Sequence, residues 1–117
     1  MTRPFLYVMD PLERVNPSAD TTFDFLLASQ ARGVENLVCA IEQLYTDGAR
    51  GFATARPVTV RRPTDDDPSH CAFGEPVRVA FDDCAAIFMR KDPPVDAVFL
   101  HSTMLLDRHD PSRTLMV

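Results

Sequence analysis

The sequence predicts an α/β domain in which a central parallel sheet is flanked by helices and extended by an antiparallel hairpin. Three apolar runs, at residues 4–9, 35–40 and 85–89, have the composition of strands that are buried on both faces. A helical segment separates the first two runs, as in a parallel β-α-β unit. Between the second and third runs the pattern changes to turn signals and partial alternation, which is typical of antiparallel strands.

The first β-α-β unit is expected to occupy residues 4–40, with its helix at 21–32. Asp20 or Thr21 can cap the amino terminus of this helix, and Gly33 provides its carboxyl-terminal stop. The side that faces the sheet is predicted from helical spacing, and it comprises Phe23, Leu26, Leu27, Gln30 and Ala31.

The antiparallel extension is expected from residue 43 onward. The dipeptide Asp47-Gly48 is a hairpin signal, and an extended run follows it from residue 51 to residue 62. Residues 77–79 are predicted to form a further short edge strand. The intervening residues 64–69 contain three neighbouring aspartates, which favour an exposed, solvated loop over a cation site.

The last part of the chain is predicted to return to the parallel sheet. Asp96 can cap a helix over residues 96–109, and residues 114–117 form a fourth strand. In the expected order the strands at 4–9 and 85–89 are neighbours, so their junction is the topological switch point where α/β sheets bind ligands. Because an apolar strand ends the sequence, we expect it to be the first part of a longer polypeptide.

Composition and charge argue against several classes of protein. The net charge is −5 and the basic residues form no long cluster, so nucleic acid is not an expected partner. The sequence contains neither a secretory signal pattern nor an apolar run of membrane-spanning length, and we expect a cytoplasmic protein without a membrane partner. The cysteines are odd in number: Cys39 and Cys84 are expected in the core, and the pair His70-Cys71 is a weak metal signal.

The best candidates for chemistry follow two of the buried strands. Arg90 and Lys91 come after the strand at 85–89 and precede the rigid pair Pro93-Pro94, and Asp10 follows the first strand. Each candidate has a structural alternative: Arg90 as the solvated start of a loop, Lys91 as an ion-pair partner of a nearby aspartate, and Asp10 as a cap. No phosphate-binding glycine pattern, nucleophile triad or HExxH motif is present, so no catalytic, cofactor-binding or metal residues are predicted.

A family resemblance supports the substrate-binding interpretation. The segment Met89–Pro94 resembles the MRKDPP segment of the bacterial glutathione synthetases. Residues 9–11, 20–23 and 30–33 resemble the opening of the same enzymes at similar spacing. The resemblance implies a Rossmann-like pre-ATP-grasp domain over residues 1–117, with the ATP-grasp domain absent from this chain. It also implies that Arg90 contributes to binding the peptide substrate.

The resemblance further implies what the whole protein does. Bacterial glutathione synthetases join γ-glutamylcysteine to glycine through an acyl phosphate, and their ATP-grasp domain holds ATP and Mg²⁺. We therefore expect a substrate-binding domain that is inactive alone, binds neither cofactor and has its own ATP-grasp domain as a partner; homo-oligomerisation is left open. The alternatives are a stand-alone α/β binding or regulatory module, such as a receiver-like domain, and the amino-terminal domain of another ATP-grasp ligase.

Overall fold

The computed structural model describes residues 3–90 and 108–117. Within these ranges lie one α-helix, α1 (Thr21–Ala31), and three short 3₁₀ turns at Leu12–Arg14, Ile41–Gln43 and Phe81–Asp83. The strands are β1 (Phe5–Val8), β2 (Asn36–Cys39), β3 (Leu44–Asp47), β4 (Arg50–Val60), β5 (Cys71–Phe73), β6 (Val77–Ala80), β7 (Ala86–Met89) and β8 (Leu115–Met116).

The strands form one curled sheet in the order β3-β4-β2-β1-β7-β8, and β5 and β6 also pair with β4. β1 is parallel to β2 on one side and to β7 on the other, and β8 is parallel to β7. Val8 is in register with both Cys39 and Met89, so β1, β2 and β7 end at the same edge. The predicted parallel sheet and the pairing of its first and third strands are confirmed, and the junction of β1 with β7 is the switch point.

Helix α1 begins and ends where its capping residues predict. The Asp20 carboxylate accepts a hydrogen bond of 2.9 Å from the backbone N–H of Phe23. Gly33 has a φ of 80°, a left-handed conformation that suits glycine and stops the helix.

The face that α1 turns to the sheet differs in part from the prediction. Phe23 and Leu26 are fully buried, but Ala31 is exposed and Ser29 is buried in its place. The Ser29 hydroxyl donates a hydrogen bond of 2.9 Å to the Asn36 side chain on β2. This bond satisfies two polar groups inside the core, so a serine can occupy a position that apolar periodicity would not select.

Strand β4 carries the antiparallel part of the sheet. Its first half pairs with β3 and β6, and its second half pairs with β2 and β5. Gly48 has a φ of 65° in the turn between β3 and β4, as the hairpin signal predicts. The predicted run at 51–62 corresponds to β4, the edge strand at 77–79 corresponds to β6, and residues 64–69 are exposed as expected.

Two hydrophobic cores lie on opposite faces of the sheet. Leu6 of β1 belongs to one core and Tyr7 to the other, which also contains Phe23 and Leu26 from α1. In β7, the expected burial on both faces is only partly observed, because Phe88 and Met89 at its carboxyl end are half-buried. That end is where the candidate site opens.

The buried cysteines are free thiols in the core. Burial raises the pKa of both Cys39 and Cys84 to about 12, so the neutral thiol is favoured at both positions. The predicted helix at 96–109 falls almost entirely on residues 91–107, which lie outside the described ranges; Arg108 and His109 lie in a turn and a bend. None of the helices within residues 3–90 and 108–117 has the length and apolar character that crossing a bilayer requires.

Candidate functional site

A cavity of about 390 Å³ opens at the carboxyl ends of β1 and β7. The amino terminus of α1 forms its third side. Its lining comprises Met9, Asp10, Val15, Ala19, Asp20, Thr21, Thr22, Met89 and Arg90. The cavity therefore lies at the switch point, where the chain leaves β1 toward one side of the sheet and β7 toward the other.

Arg90 is held in this cavity by three contacts. Its backbone N–H donates a hydrogen bond of 2.8 Å to the carbonyl oxygen of Val8, which ties the residue to the end of β1. Its Nε donates a hydrogen bond of 3.1 Å to the Thr22 hydroxyl, and the guanidinium carbon lies 5.1 Å from the centre of the Phe25 ring. The side chain is thus oriented by α1 before any ligand arrives.

Besides Arg90, the cavity has both negatively charged side chains and a region of partial positive charge. Asp10 and Asp20 contribute carboxylates, and the Asp20 carboxylate is oriented by its capping bond to Phe23. The first turn of α1 adds a partial positive charge and backbone N–H groups that favour an anion. The cavity can therefore hold a small molecule that carries both a carboxylate and an ammonium group.

Tyr7 of β1 is buried in the core that packs against α1. Its ring stacks on Phe88 with 4.6 Å between the ring centres, and its hydroxyl lies 3.4 Å from the Ser29 hydroxyl. Burial raises the pKa of the Tyr7 hydroxyl, while the contact with Ser29 and the positive charge of Arg90 act in the opposite direction. Tyr7 is accordingly neutral at physiological pH and has a packing role in the core between the sheet and α1.

A second, smaller cavity of about 90 Å³ continues along the same edge of the sheet. Met9 and Asp10 line both cavities, so the two share a wall at the end of β1. On its far side the second cavity is lined by Arg56 of β4 and Phe73 of β5. The candidate site therefore extends across the sheet from β7 to β4.

The decisive comparison is with protein families. The model of the prokaryotic glutathione synthetase N-terminal domain matches residues 4–117. The chain belongs to this family. Among curated glutathione synthetases, that of Yersinia pestis is 36% identical over 110 residues, which cover 94% of this chain and 34% of that protein. That of Rhodopseudomonas palustris is 36% identical over 117 residues, or 100% of this chain and 36% of that protein. The chain thus spans about a third of the length of the curated relatives it matches.

Membership in the glutathione synthetase family confirms the resemblance and favours it over the receiver-like alternative. Of the three residues predicted to bind substrate, Arg90 and Asp10 line the same cavity, although they are 80 positions apart in the sequence. Lys91 lies outside the described residues. The roles predicted for all three stay predictions.

Two residues of this glutathione synthetase domain were not identified as site residues from the sequence. Thr22 lies within the predicted helix, where the sequence gives it no separate role, yet its hydroxyl accepts a hydrogen bond from Arg90. Arg56 lies in the interior of a long strand, and its place at the edge follows from its register opposite Val38. The Thr22 contact could be found from the family-like segment at 20–23, whereas no local signal marks Arg56.

The acidic loop lies apart from the cavity and has internal partners. The carboxylate of Asp67 forms an ion pair with Arg61 and accepts hydrogen bonds from Ser69. The hydrogen bonds from Ser69 lower the pKa of this carboxyl. Across residues 3–90 and 108–117, no three His, Cys, Asp or Glu side chains form a group that could hold a metal ion.

Proposed function

We propose that this chain is the domain that binds the peptide substrate in an ATP-dependent carbon–nitrogen ligase, which joins γ-glutamylcysteine to glycine. Family membership supports the reaction, and the cavity at the ends of β1 and β7 supports the role of this domain in it. The observation that carries the proposal is the placement of Arg90, Asp10 and Asp20 around one volume of about 390 Å³.

The γ-glutamyl end of the peptide fits this arrangement of charges. It carries an α-carboxylate and an α-ammonium group on the same carbon atom. The Arg90 guanidinium, helped by the amino terminus of α1, is suited to the carboxylate. Asp10 and Asp20 are suited to the ammonium group. Binding at this end leaves the cysteinyl carboxylate, where the new bond forms, directed away from the first cavity.

We assign ATP and Mg²⁺ to the part of the polypeptide that lies outside this chain. The four glycines form neither GxGxxG nor GxxxxGK[ST], so a backbone cradle for phosphates is not encoded here. The described residues also lack a cluster of carboxylates that could hold a divalent cation. The residues that the structure describes in this domain therefore do not fit either group, and we assign them the role of binding and orienting the peptide.

The test is a ligation assay on the complete polypeptide that carries this domain. Phosphate release from ATP is expected to require both γ-glutamylcysteine and glycine, and the product is expected to have the mass of glutathione. Replacing glycine with other amino acids separates this proposal from a ligase with a different acceptor. The proposal is refuted if the protein forms no product from γ-glutamylcysteine and glycine, or if it uses a different amine acceptor in preference to glycine.

A further inference from the structure

We infer that Arg56 binds the second carboxylate of the peptide, the cysteinyl carboxylate, while Arg90 binds the first. This inference rests on the proposed function and extends it from one cavity to two. It assigns a substrate-binding role to a residue on an antiparallel strand that family resemblance and local sequence patterns leave unassigned.

Contacts with neighbouring side chains orient the Arg56 guanidinium before a ligand binds. Its guanidinium carbon lies 3.9 Å from the centre of the Phe73 ring, and its Nη2 lies 3.1 Å from the Glu13 carboxylate. The side chain is 42% exposed, so these contacts orient it without closing it off from the cavity. Stacking on an aromatic ring leaves the edge of the guanidinium plane able to donate hydrogen bonds to a carboxylate.

The charges of the peptide are suited to a site with a second cation. At neutral pH γ-glutamylcysteine carries two carboxylates and one ammonium group. Among the described residues that line the two joined cavities, Arg90 and Arg56 are the cations. Asp10 lies on the wall between them, where it can face the ammonium group. Two guanidinium groups and a central carboxylate complement the two ends of the peptide.

The span between the two arginines agrees with the length of the peptide. β7 and β4 are separated by β1 and β2, which makes three strand-to-strand steps of about 4.8 Å, or about 14 Å in all. Seven bonds join the two carboxyl carbons of a γ-linked dipeptide, so these carbons lie roughly 8–9 Å apart in the extended form, given bonds of about 1.5 Å. A guanidinium contact of about 4 Å at each end brings the total to roughly 16–17 Å, and the flexible arginine side chains can cover the difference of about 2–3 Å from the strand spacing.

The experiment compares two ligands on the complete synthetase. The cysteinyl amide of γ-glutamylcysteine lacks the second carboxylate and is tested as a competitive inhibitor. Replacing Arg56 with alanine is expected to raise the KM for γ-glutamylcysteine about 10- to 100-fold, as for the loss of a charge-assisted hydrogen bond. The inhibition constant of the amide is expected to change less than about twofold, because that ligand has no group for Arg56 to bind. The R56K variant should recover part of the loss.

Arg78 on β6 provides a matched control. Its guanidinium carbon lies 3.9 Å from the Phe52 ring centre, and it pairs with Asp47 at 3.0 Å, so it copies the contacts of Arg56 away from both cavities. R78A is expected to leave both constants unchanged. Equal weakening of both ligands in R56A, or an unchanged KM for the peptide, would overturn the inference. If the wild-type enzyme ligates γ-glutamylcysteine to glycine, either of these results overturns the inference about Arg56 alone. The proposed function fails only if the wild-type protein does not ligate these two substrates.

Discussion

Replacing Arg90 with alanine is the most direct perturbation of the first cavity. The substitution removes the hydrogen bond from Nε to the Thr22 hydroxyl and the contact with the Phe25 ring. It also removes the positive charge from a cavity that Asp10 and Asp20 line as well. The change therefore affects both the stability of the fold and the proposed binding of the γ-glutamyl carboxylate, and the two effects can be worked out separately.

The loss of the ligand contact is expected to dominate the kinetics. A hydrogen bond to a charged group contributes about 1.5–3 kcal/mol, so kcat/KM for γ-glutamylcysteine should fall roughly 10- to 150-fold. The KM values for ATP and glycine should change less than about threefold, since Arg90 is proposed to contact neither of these substrates. The lost contacts with Thr22 and Phe25 should lower the free energy of unfolding by roughly 1–2 kcal/mol.

Steady-state kinetics of the complete synthetase, with melting temperatures for each variant, separate the two effects. T22V removes the hydrogen-bond acceptor of Arg90 but keeps the guanidinium, so it is expected to lose stability while retaining most peptide binding. R90K should recover only part of the activity, because an ammonium group cannot bind a carboxylate in a two-pronged geometry. If R90A leaves the peptide KM unchanged, or raises all three substrate KM values together, Arg90 is a structural residue and the reasoning is wrong.

The remaining predictions concern packing, titration and cofactors. A Cβ added at Gly51 would collide with the Phe81 ring, whereas one at Gly74 would meet only the side chain of Pro57, at 3.4 Å. Urea unfolding should therefore show that G51A costs about 1–3 kcal/mol and that G74A costs much less. Because the pKa of the buried Cys39 and Cys84 thiols is about 12, against about 8.5 when unfolded, unfolding releases protons at alkaline pH. The contribution of these thiols to stability should thus be constant below about pH 8 and fall above about pH 9, a fall that replacement of both cysteines by alanine should reduce. Calorimetric titration of the 117-residue chain with Mg-ATP should give no saturable heat, and micromolar binding would contradict our assignment of the nucleotide to the rest of the polypeptide.

The parallel half of the fold could be predicted because its signals are local. Apolar runs that are followed by charged residues and a proline mark β1 and β7. A cap at Asp20 and a stop at Gly33 bound α1. Once these elements are placed, the handedness and order of crossover connections bring the ends of β1 and β7 together. The neighbourhood of Asp10 and Arg90 follows from that step, although nothing in the sequence links the two residues directly.

The antiparallel half could be predicted only in outline. β4 exchanges its partners halfway along, from β3 and β6 to β2 and β5, and this change depends on how the sheet curls. Apolar and polar residues alternate along β4 in the same way whichever strands lie beside it. The pattern therefore reveals that a strand exists but not which strands it joins.

The same geometry explains why the sequence alone does not identify Arg56 as a site residue. In parallel strands, the residues that reach the carboxyl edge of a sheet are those that follow a strand, so Asp10 and Arg90 are found by looking just past an apolar run. The antiparallel strand β4 instead reaches that edge with residues from its middle. In the sequence, a cation in the middle of a strand looks like any other polar residue on a solvent-exposed face. Only the register of β4 with β2 places Arg56 opposite Val38 and thus beside the second cavity. If Arg56 binds the peptide as inferred, half of the substrate site is encoded in strand register and the other half in strand ends.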